Sequence, residues 1–241
     1  MRSKTFRSNI EGKYTVDIAD HLLLSMLDSL CRRDSEHPSD CINSVYYDTP
    51  NLTLLDQKVD SEFNKNKVRL RWYGMPSEPT ATISAYLEIK QKKGVQRIKT
   101  RKRFDLPTNF LVPGKESLHE LTAFADHVSD LGWPPVEALF PMIVIRYHRH
   151  RFTDPVSGAR ISLDSGIRYT RVNGVFFPET EPRTLRHGVL EIKSSSGEIQ
   201  SSIMPIKSRV NTRDSFSKYE ECWNMYANTT YRRDLTSSRY D

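Results

Sequence analysis

The chain has 241 residues, of which 37% are hydrophobic and 27% are charged, and its formal net charge is +6. This composition is typical of an ordinary folded protein and argues against a disordered chain, and no apolar run approaches the ~20 residues that a membrane-spanning helix needs. The positive charge favours an anionic partner, namely nucleic acid, anionic lipid or a polyphosphorylated small molecule, without choosing among them.

The N-terminus and the cysteines indicate where the protein is located in the cell. The N-terminal stretch MRSKTFRSNIEGKY has no apolar core, so no secretory signal is predicted. Cys31, Cys41 and Cys222 are too few and too scattered for a disulfide framework or a zinc site. We therefore expect free thiols and a cytoplasmic location.

Short strand-like segments recur along the chain and are separated by turn residues. Their apolar and polar residues alternate, which is typical of an antiparallel sheet or a closed barrel. Lys92, Lys93 and Gly94 are predicted to form a hairpin tip between two of these segments. The predicted strands, about nine in number, cover residues 12–16, 42–48, 67–73, 84–92, 96–106, 142–153, 159–164, 167–172 and 188–194.

Three helices are predicted between and after these strands, over residues 17–30, 115–131 and 215–227. In each of the first two, apolar residues recur at helical spacing. No linker interrupts the chain, so residues 1–228 are predicted to be one domain and residues 229–241 a polar tail.

The strand KVRLRWYG shows an unusual pattern. Lys67, Arg69 and Arg71 point to one face, and the apolar residues between them point to the other. Several other strands repeat this alternation. Their charged faces carry Glu88 and Lys90; Arg97, Lys99, Arg101 and Arg103; Tyr147, Arg149 and Arg151; Arg160; and Glu191 and Lys193.

A charged outer face is common in antiparallel sheets, but an ordinary surface mixes charges of both signs with neutral polar residues. If helices cover the apolar side, these faces point into the lumen of a barrel, where a barrel of about eight strands has room for one small ligand. Many unpaired cations in such a lumen would be costly unless it is wet and holds a polyanion. A chain of phosphates fits best, because Arg binds phosphate oxygens bidentately and Lys supplies a compact charge.

The glutamates on these faces need a separate explanation. Bound phosphate repels a carboxylate unless a divalent metal bridges the two. Glu191 is the strongest candidate for such a metal ligand, and Glu11 and Glu88 are weaker ones. The alternative is that Glu88 and Glu191 simply pair with neighbouring lysines.

Six motifs extend the argument beyond charge, and they occur along the chain in this order: SVYYDTP (44–50), KVRLRWYG (67–74), YLEIKQKKG (86–94), RISLD (160–164), VLEIK (189–193) and SFSKYEEC (215–222). Together they resemble the VTC domain, the polyphosphate polymerase branch of the triphosphate tunnel metalloenzymes, a CYTH-like superfamily. The similarity runs from about Ile10 to Ala227, and the order of the motifs makes it more specific than any one of them.

The resemblance implies a β-dominated α+β fold, an antiparallel closed tunnel of eight strands with flanking helices. It implies transfer of the γ-phosphate of ATP to a polyphosphate chain, with Mn²⁺ or Mg²⁺ on a tunnel glutamate. ATP, phosphate and polyphosphate are the implied partners, without nucleic acid and without a membrane span. Whether a membrane protein docks on the helices stays open.

The resemblance also assigns roles by motif. The implied catalytic residues are Arg69, Arg71, Lys90, Arg149, Arg160 and Lys218. The implied substrate-binding residues are Lys13, Lys58, Tyr147, Lys193 and, after the hairpin, Arg101 or Lys102. The implied metal ligand is Glu191.

Two departures from the family pattern keep other functions open. Asn9 stands where the hydrolytic branch has the first of two spaced glutamates, which argues against a plain triphosphatase. Ser215 stands where the eukaryotic polymerases have a second lysine. A triphosphatase of the same fold and a non-catalytic polyanion binder therefore remain as alternatives.

Overall fold

The computed structural model describes residues 10–17, 21–59, 63–74, 82–94, 96–107, 118–171, 173–175 and 182–237. The strands are β1 (Ile10–Asp17), β2 (Arg32–Arg33), β3 (Ser39–Asp48), β4 (Asn64–Tyr73), β5 (Thr82–Lys93), β6 (Gln96–Pro107), β7 (Phe140–Thr153), β8 (Arg160–Arg171), β9 (Arg183–Thr184), β10 (His187–Ser194) and β11 (Val210–Arg213). The helices are α1 (His21–Leu30), α2 (Thr53–Val59), α3 (Leu118–Ala123) and α4 (Lys218–Ser237), with 3₁₀ helices at Phe124–Leu131 and Ser201–Arg209.

The predicted strands are present, with one change. Residues 159–164 and 167–172 were predicted as two strands, but β8 runs through both. Gly166 lies between them with a φ of 59°, a left-handed conformation that glycine adopts without strain, and the strand continues through it. Three short strands, β2, β9 and β11, and helix α2 were not predicted, because segments this short carry little periodic signal.

The helices also differ at their ends from the sequence prediction. The second predicted helix is α3 followed by a 3₁₀ helix, which ends at Gly132 in the left-handed conformation. Helix α4 continues to Ser237, well into the segment predicted as a polar tail. Asn9, the predicted helix start at Lys115 and residues 238–241 lie outside the described residues.

The strands form an antiparallel sheet in the order β11-β1-β10-β8-β7-β3-β4-β5-β6, with β2 attached to β7 and β9 to β8. The expected closed barrel of eight strands is therefore wrong in two respects: the described chain contains 11 strands, and their pairing does not close. Closure requires hydrogen bonds between the two terminal strands, and alternation within each strand does not specify which strands pair.

The chain divides into two compact units. The first comprises the described residues of Met1–Asp40, Tyr147–Ile167 and Leu185–Phe216. The second comprises those of Cys41–Arg146, Arg168–Thr184 and Ser217–Asp241. Each unit has its own hydrophobic core.

The core of the second unit lies on the apolar face of the β3-β4-β5 sheet. Val68, Leu70 and Trp72 are at most 1% exposed, and they pack in one cluster with Leu121 of α3 and Val128 of the 3₁₀ helix. In this unit the helices cover the apolar side, which was the condition set in the sequence analysis, and Lys67, Arg69 and Arg71 point away from the core.

The core of the first unit is built in the same way. Leu163 of β8 and Ile192 of β10 pack with Leu23 and Leu27 of α1. The charged residues that alternate with these strand residues lie on the opposite face. Within the described residues, no helix combines the length and the apolar composition that a membrane span requires.

Candidate functional site

Strand register in the second unit aligns the charged faces of β4, β5 and β6. Residues directly opposite one another form four rows, which we call the cationic array. Ten of its twelve positions are Lys or Arg, and one is a carboxylate, Glu88. The rows are Lys65–Lys92–Arg97, Lys67–Lys90–Lys99, Arg69–Glu88–Arg101 and Arg71–Tyr86–Arg103.

The carboxylate of Glu88 is enclosed by cations of the array. Arg69 donates from Nε and Nη2 to Oε2 of Glu88 at 2.8 and 2.6 Å, and Lys99 forms an ion pair with Oε1. Glu88 is 1% exposed. Burial would raise the pKa of Glu88, but the charges of Arg69, Arg71 and Lys99 outweigh it and lower the pKa to about 2. These contacts favour a role for Glu88 in holding the array together rather than in binding a metal.

The neighbouring strand β3 supplies polar groups that the sequence analysis did not assign. Ser44 lies opposite Arg71, and its Oγ accepts a hydrogen bond from Arg71 Nε at 3.0 Å. Tyr46 lies opposite Arg69, whose Nη1 is 3.5 Å from the Tyr46 hydroxyl. The Tyr46 ring stacks on Tyr219 of α4 with centroids 5.2 Å apart. The sequence signal that could have identified these groups is the alternation of polar residues in SVYYD, at Ser44, Tyr46 and Asp48.

Asp48, the last residue of β3, joins two helices to the sheet. Its carboxylate is fully buried and accepts hydrogen bonds from the backbone N–H groups of Leu54 and Leu55 in α2 at 2.8 and 3.1 Å. It also accepts one from the Tyr219 hydroxyl at 3.0 Å. Burial raises the pKa of Asp48 to about 6. Asp48 therefore anchors the start of α2 and the first turn of α4 together.

Two further contacts bring the start of α4 to the array. Lys67 Nζ donates to Ser217 Oγ at 2.8 Å, and Lys58 of α2 pairs with Glu220 at 3.1 Å. The predicted site residue Lys218 follows Ser217 directly, so it lies beside the Lys67 row. Lys58, in contrast, lies in the contact between α2 and α4 and is not a member of the array.

The resemblance left Arg101 and Lys102 as alternatives, and the register of β5 and β6 places them on opposite faces of the sheet. Arg101 lies in the array, and its guanidinium carbon is 4.9 Å from the centroid of the Tyr86 ring. Lys102 points to the opposite face, where its Nζ is 2.8 Å from Asp130 Oδ2 of the 3₁₀ helix. The structure therefore brings Arg101, and not Lys102, to the charged face.

The first unit has its own charged cluster, on β1, β10 and β8, which we call the β1–β10–β8 cluster. Glu11 lies opposite Lys193, which lies opposite Arg160, and Lys13 lies opposite Glu191. Lys193 Nζ is 2.6 Å from Glu191 Oε1 and 3.8 Å from Glu11 Oε2. Lys13 Nζ is 3.2 Å from Glu11 Oε1. Both candidate metal-binding carboxylates of this unit thus share one lysine.

Arg149 is oriented by a carboxylate that the sequence analysis did not assign to the site. Its Nε and Nη2 donate to the two oxygens of Asp164 at 2.6 and 2.7 Å, and Asp164 is fully buried. Its guanidinium carbon is 5.5 Å from the centroid of the Tyr147 ring. Burial would lower the pKa of Arg149, but Tyr147 and Asp164 outweigh it and hold the pKa well above the ordinary value. Arg149 is therefore a permanently charged group of fixed orientation.

Glu191 is ionised for a related reason. Burial would raise its pKa, but the charges of Lys193, Arg149 and Lys13 outweigh it and hold the pKa below the ordinary value of a glutamate. Among the described residues, no group of three His, Cys, Asp or Glu side chains could hold a metal ion without other ligands. Glu191 and Glu11 still fit a hard divalent cation, because Mg²⁺ is commonly bound by one or two carboxylates together with substrate phosphates.

The fold and these two sites define an antiparallel β protein whose charged strand faces suit a polyanion. The family model of the VTC domain matches residues 6–226, and the chain belongs to the VTC domain family. This confirms the resemblance inferred from the motifs. No curated protein matches the chain.

Two solved structures are similar to this chain. One is a candidate adenylate cyclase from Bacillus halodurans, with 13% identity and a TM-score of 0.45, covering 86% of this chain and 95% of that one. The other is a candidate adenylate cyclase from Vibrio parahaemolyticus, with 13% identity and a TM-score of 0.46, covering 90% of this chain and 99% of that one. Similarities this remote say nothing about activity.

Proposed function

We propose that this protein is an ATP-dependent polyphosphate polymerase, which transfers the γ-phosphate of ATP to the end of a polyphosphate chain. The observation that carries the proposal is the cationic array, which aligns ten cations and one carboxylate on a single strand face in a member of the VTC family. Such a face matches the charge of a phosphate chain better than that of any other small ligand.

Phosphoryl transfer depends on positioning and on neutralising charge more than on covalent chemistry. A terminal oxygen of the growing chain attacks the γ-phosphorus in line. The bond between that phosphorus and the bridging oxygen breaks, and ADP leaves with the electron pair. Because the attacking oxygen is already anionic, the reaction does not need a strong general base.

The proposed phosphate clamps are held in place before substrate arrives. Arg69 is fixed by Glu88, Arg71 by Ser44 and Arg149 by Asp164. Side chains held in this way lose little entropy on binding. We assign phosphate contacts also to Lys13, Lys90, Arg101, Tyr147, Arg160, Lys193 and Lys218.

A divalent cation, Mn²⁺ or Mg²⁺, belongs to the proposal. Glu191, with Glu11 beside it, would hold the ion, and bound phosphate oxygens would complete its ligands. The ion would supply neutralisation of phosphate charge. A cytoplasmic location stays a prediction, and whether a membrane protein docks on the helices stays open.

The test is a product assay with purified protein, ATP and Mn²⁺, analysed on a gel stained for polyphosphate and by release of ADP and phosphate. We expect long polymer and an equivalent amount of ADP. Glu191→Gln should lower polymer formation about 100-fold or more, whereas Glu198→Gln should leave it unchanged. Glu198 belongs to the same unit but contacts Tyr14, which points away from the side of β1 that carries Lys13.

Other outcomes would replace the proposal. Free phosphate from ATP or inorganic triphosphate, without polymer, would establish a triphosphatase. Binding of polyphosphate that persists in Glu191→Gln, with no product from the wild type, would establish a polyanion receptor. Thermal unfolding of each variant separates a loss of chemistry from a loss of folded protein.

A further inference from the structure

The cationic array extends past the residues that the proposed reaction uses. Its last row, Lys65–Lys92–Arg97, lies next to the β5–β6 hairpin tip, where Lys93 pairs with Gln96 and Gly94 makes the turn. We call this row the tip row. Lys92 and Arg97 are exposed to solvent. The resemblance to the VTC domain assigned no role to any residue of the tip row.

The array is long relative to a single nucleotide triphosphate group. Successive rows are two residues apart, which corresponds to about 7 Å along the strands, so the four rows span about 20 Å. A triphosphate has only three phosphorus centres, whereas a polyphosphate chain carries negative charge at every unit along its length. Four rows of cations therefore match a chain better than a triphosphate.

Charge changes along the array. The carboxylate Glu88 occupies the third row from the tip, whereas the two rows nearest the tip hold six cations at their six positions. Like charges that lie directly opposite one another on neighbouring strands are destabilising. Glu88 offsets part of this repulsion through its ion pair with Lys99, and a polyanion that follows the rows would reduce it further.

The residue types in the array favour one kind of polyanion over another. Proteins that bind single-stranded nucleic acid combine cations with aromatic side chains on which bases stack. The only aromatic residue among the twelve positions is Tyr86, at the end of the array farthest from the tip. The composition of the tip row and of its neighbour therefore favours a chain without bases.

We propose that the tip row is an additional subsite for inorganic polyphosphate, which holds the chain beyond the reacting phosphates along the β5–β6 hairpin. The inference rests on the proposed polymerase function and adds to it a preference for long chains. Occupancy of the tip row would keep the product bound between transfers.

The test compares two double variants that lose the same charge. Lys92→Gln/Arg97→Gln removes two cations of the tip row. Lys93→Gln/Arg168→Gln removes one cation adjacent to Lys92, on the opposite strand face, and a second exposed cation outside the array. The affinities for inorganic triphosphate and for a polyphosphate of roughly 100 units are measured by calorimetry at fixed salt.

We expect the tip-row variant to bind the long chain about fivefold to tenfold more weakly and to bind triphosphate within about twofold of the wild type. The control variant should bind both ligands like the wild type. Three results would overturn the subsite: an equal loss in the control, an equal loss for triphosphate, or single-stranded RNA of matched charge binding as tightly through the same residues.

The product assay separates this inference from the proposed function. If the wild type forms polymer and the tip-row variant binds long chains normally, the subsite is wrong and the polymerase stands. If the wild type forms no polymer but the tip-row variant alone loses long-chain affinity, the polymerase is wrong and the subsite stands.

Discussion

Arg69 and Arg149 are each oriented by a buried carboxylate, although they belong to different units. Arg69 donates two hydrogen bonds to Glu88, and Arg149 donates two to Asp164. A guanidinium held by a fork of two bonds has a fixed plane, which lysine could not reproduce. In both units, an acid orients an arginine to which we assign phosphate binding.

At the scale of single residues, we predict that Glu88→Gln destabilises the fold in a pH-dependent way. The pKa of Glu88 is lowered from 4.5 to about 2, so its ionisation contributes stability that is present above pH 4.5 and is lost as the pH falls toward 2. The variant should lose on the order of 3 kcal/mol of unfolding free energy at pH 7, and less at pH 3.

Chemical denaturation of both proteins at the two pH values measures this difference. Glu198→Gln, in which an exposed carboxylate is changed, serves as the control and should show little loss. An equal gap between wild type and Glu88→Gln at pH 7 and pH 3 would mean that charge pairing is not the source of the stability.

At the scale of elements, the start of α4 is held on the sheet by a short chain of contacts. Asp48 accepts hydrogen bonds from α2 and from Tyr219, and Tyr219 stacks on Tyr46 beside Arg69. The position of Lys218 follows from this arrangement. Lys218 lies between Ser217, which contacts β4, and Tyr219, which contacts β3.

We predict that Asp48 and Tyr219 are energetically coupled. Tyr219→Phe removes one hydrogen bond and should cost about 1 kcal/mol, and Asp48→Ala leaves buried N–H groups of α2 unpaired and should cost about 3 kcal/mol. The double variant should cost about 1 kcal/mol less than the sum, because the shared bond is lost only once. Urea unfolding of the four proteins measures the coupling, and strict additivity would contradict it.

A glycine explains how β1 carries its charged residues. A Cβ at Gly12 would lie 1.8 Å from the carbonyl oxygen of Gly197, so only glycine allows the turn after β10 to lie against β1. Glu11 and Lys13, on either side of it, then lie opposite Lys193 and Glu191. Packing thus explains Gly12, and charge pairing between β1 and β10 explains Glu11 and Lys13.

At the scale of the whole molecule, the charged faces predict that a polyanion stabilises the fold. A ligand that binds only the folded state raises Tm, and inorganic triphosphate at about 100 times its Kd should raise Tm by roughly 5–10 °C. NaCl of equal ionic strength should have a much smaller effect, since it only screens the charges.

Differential scanning calorimetry with the two salts tests this expectation. Arg71→Gln should reduce the shift caused by triphosphate, whereas Arg168→Gln, outside the array, should not. A shift of the same size with NaCl would show that general screening, and not bound triphosphate, stabilises the protein.

The sequence by itself predicted most of the strands, the separation of charged from apolar faces and the family. Alternation with period two is a local property, so Lys67, Arg69 and Arg71 could be assigned to one face without a structure. The order of six motifs then identified the VTC domain, and the family comparison confirmed it.

Only the tertiary structure decided which groups meet. Asp48 and Tyr219 meet although 171 residues separate them in the chain. Arg149 and Asp164 lie on the consecutive strands β7 and β8, and the four rows lie on the consecutive strands β4, β5 and β6, but the register that aligns them is not set by either strand alone. The open order of the 11 strands in the described part of the chain was likewise unforeseen. The physical reason is that register and pairing arise from backbone hydrogen bonds and packing between separate segments, which leave no periodic trace in either segment alone.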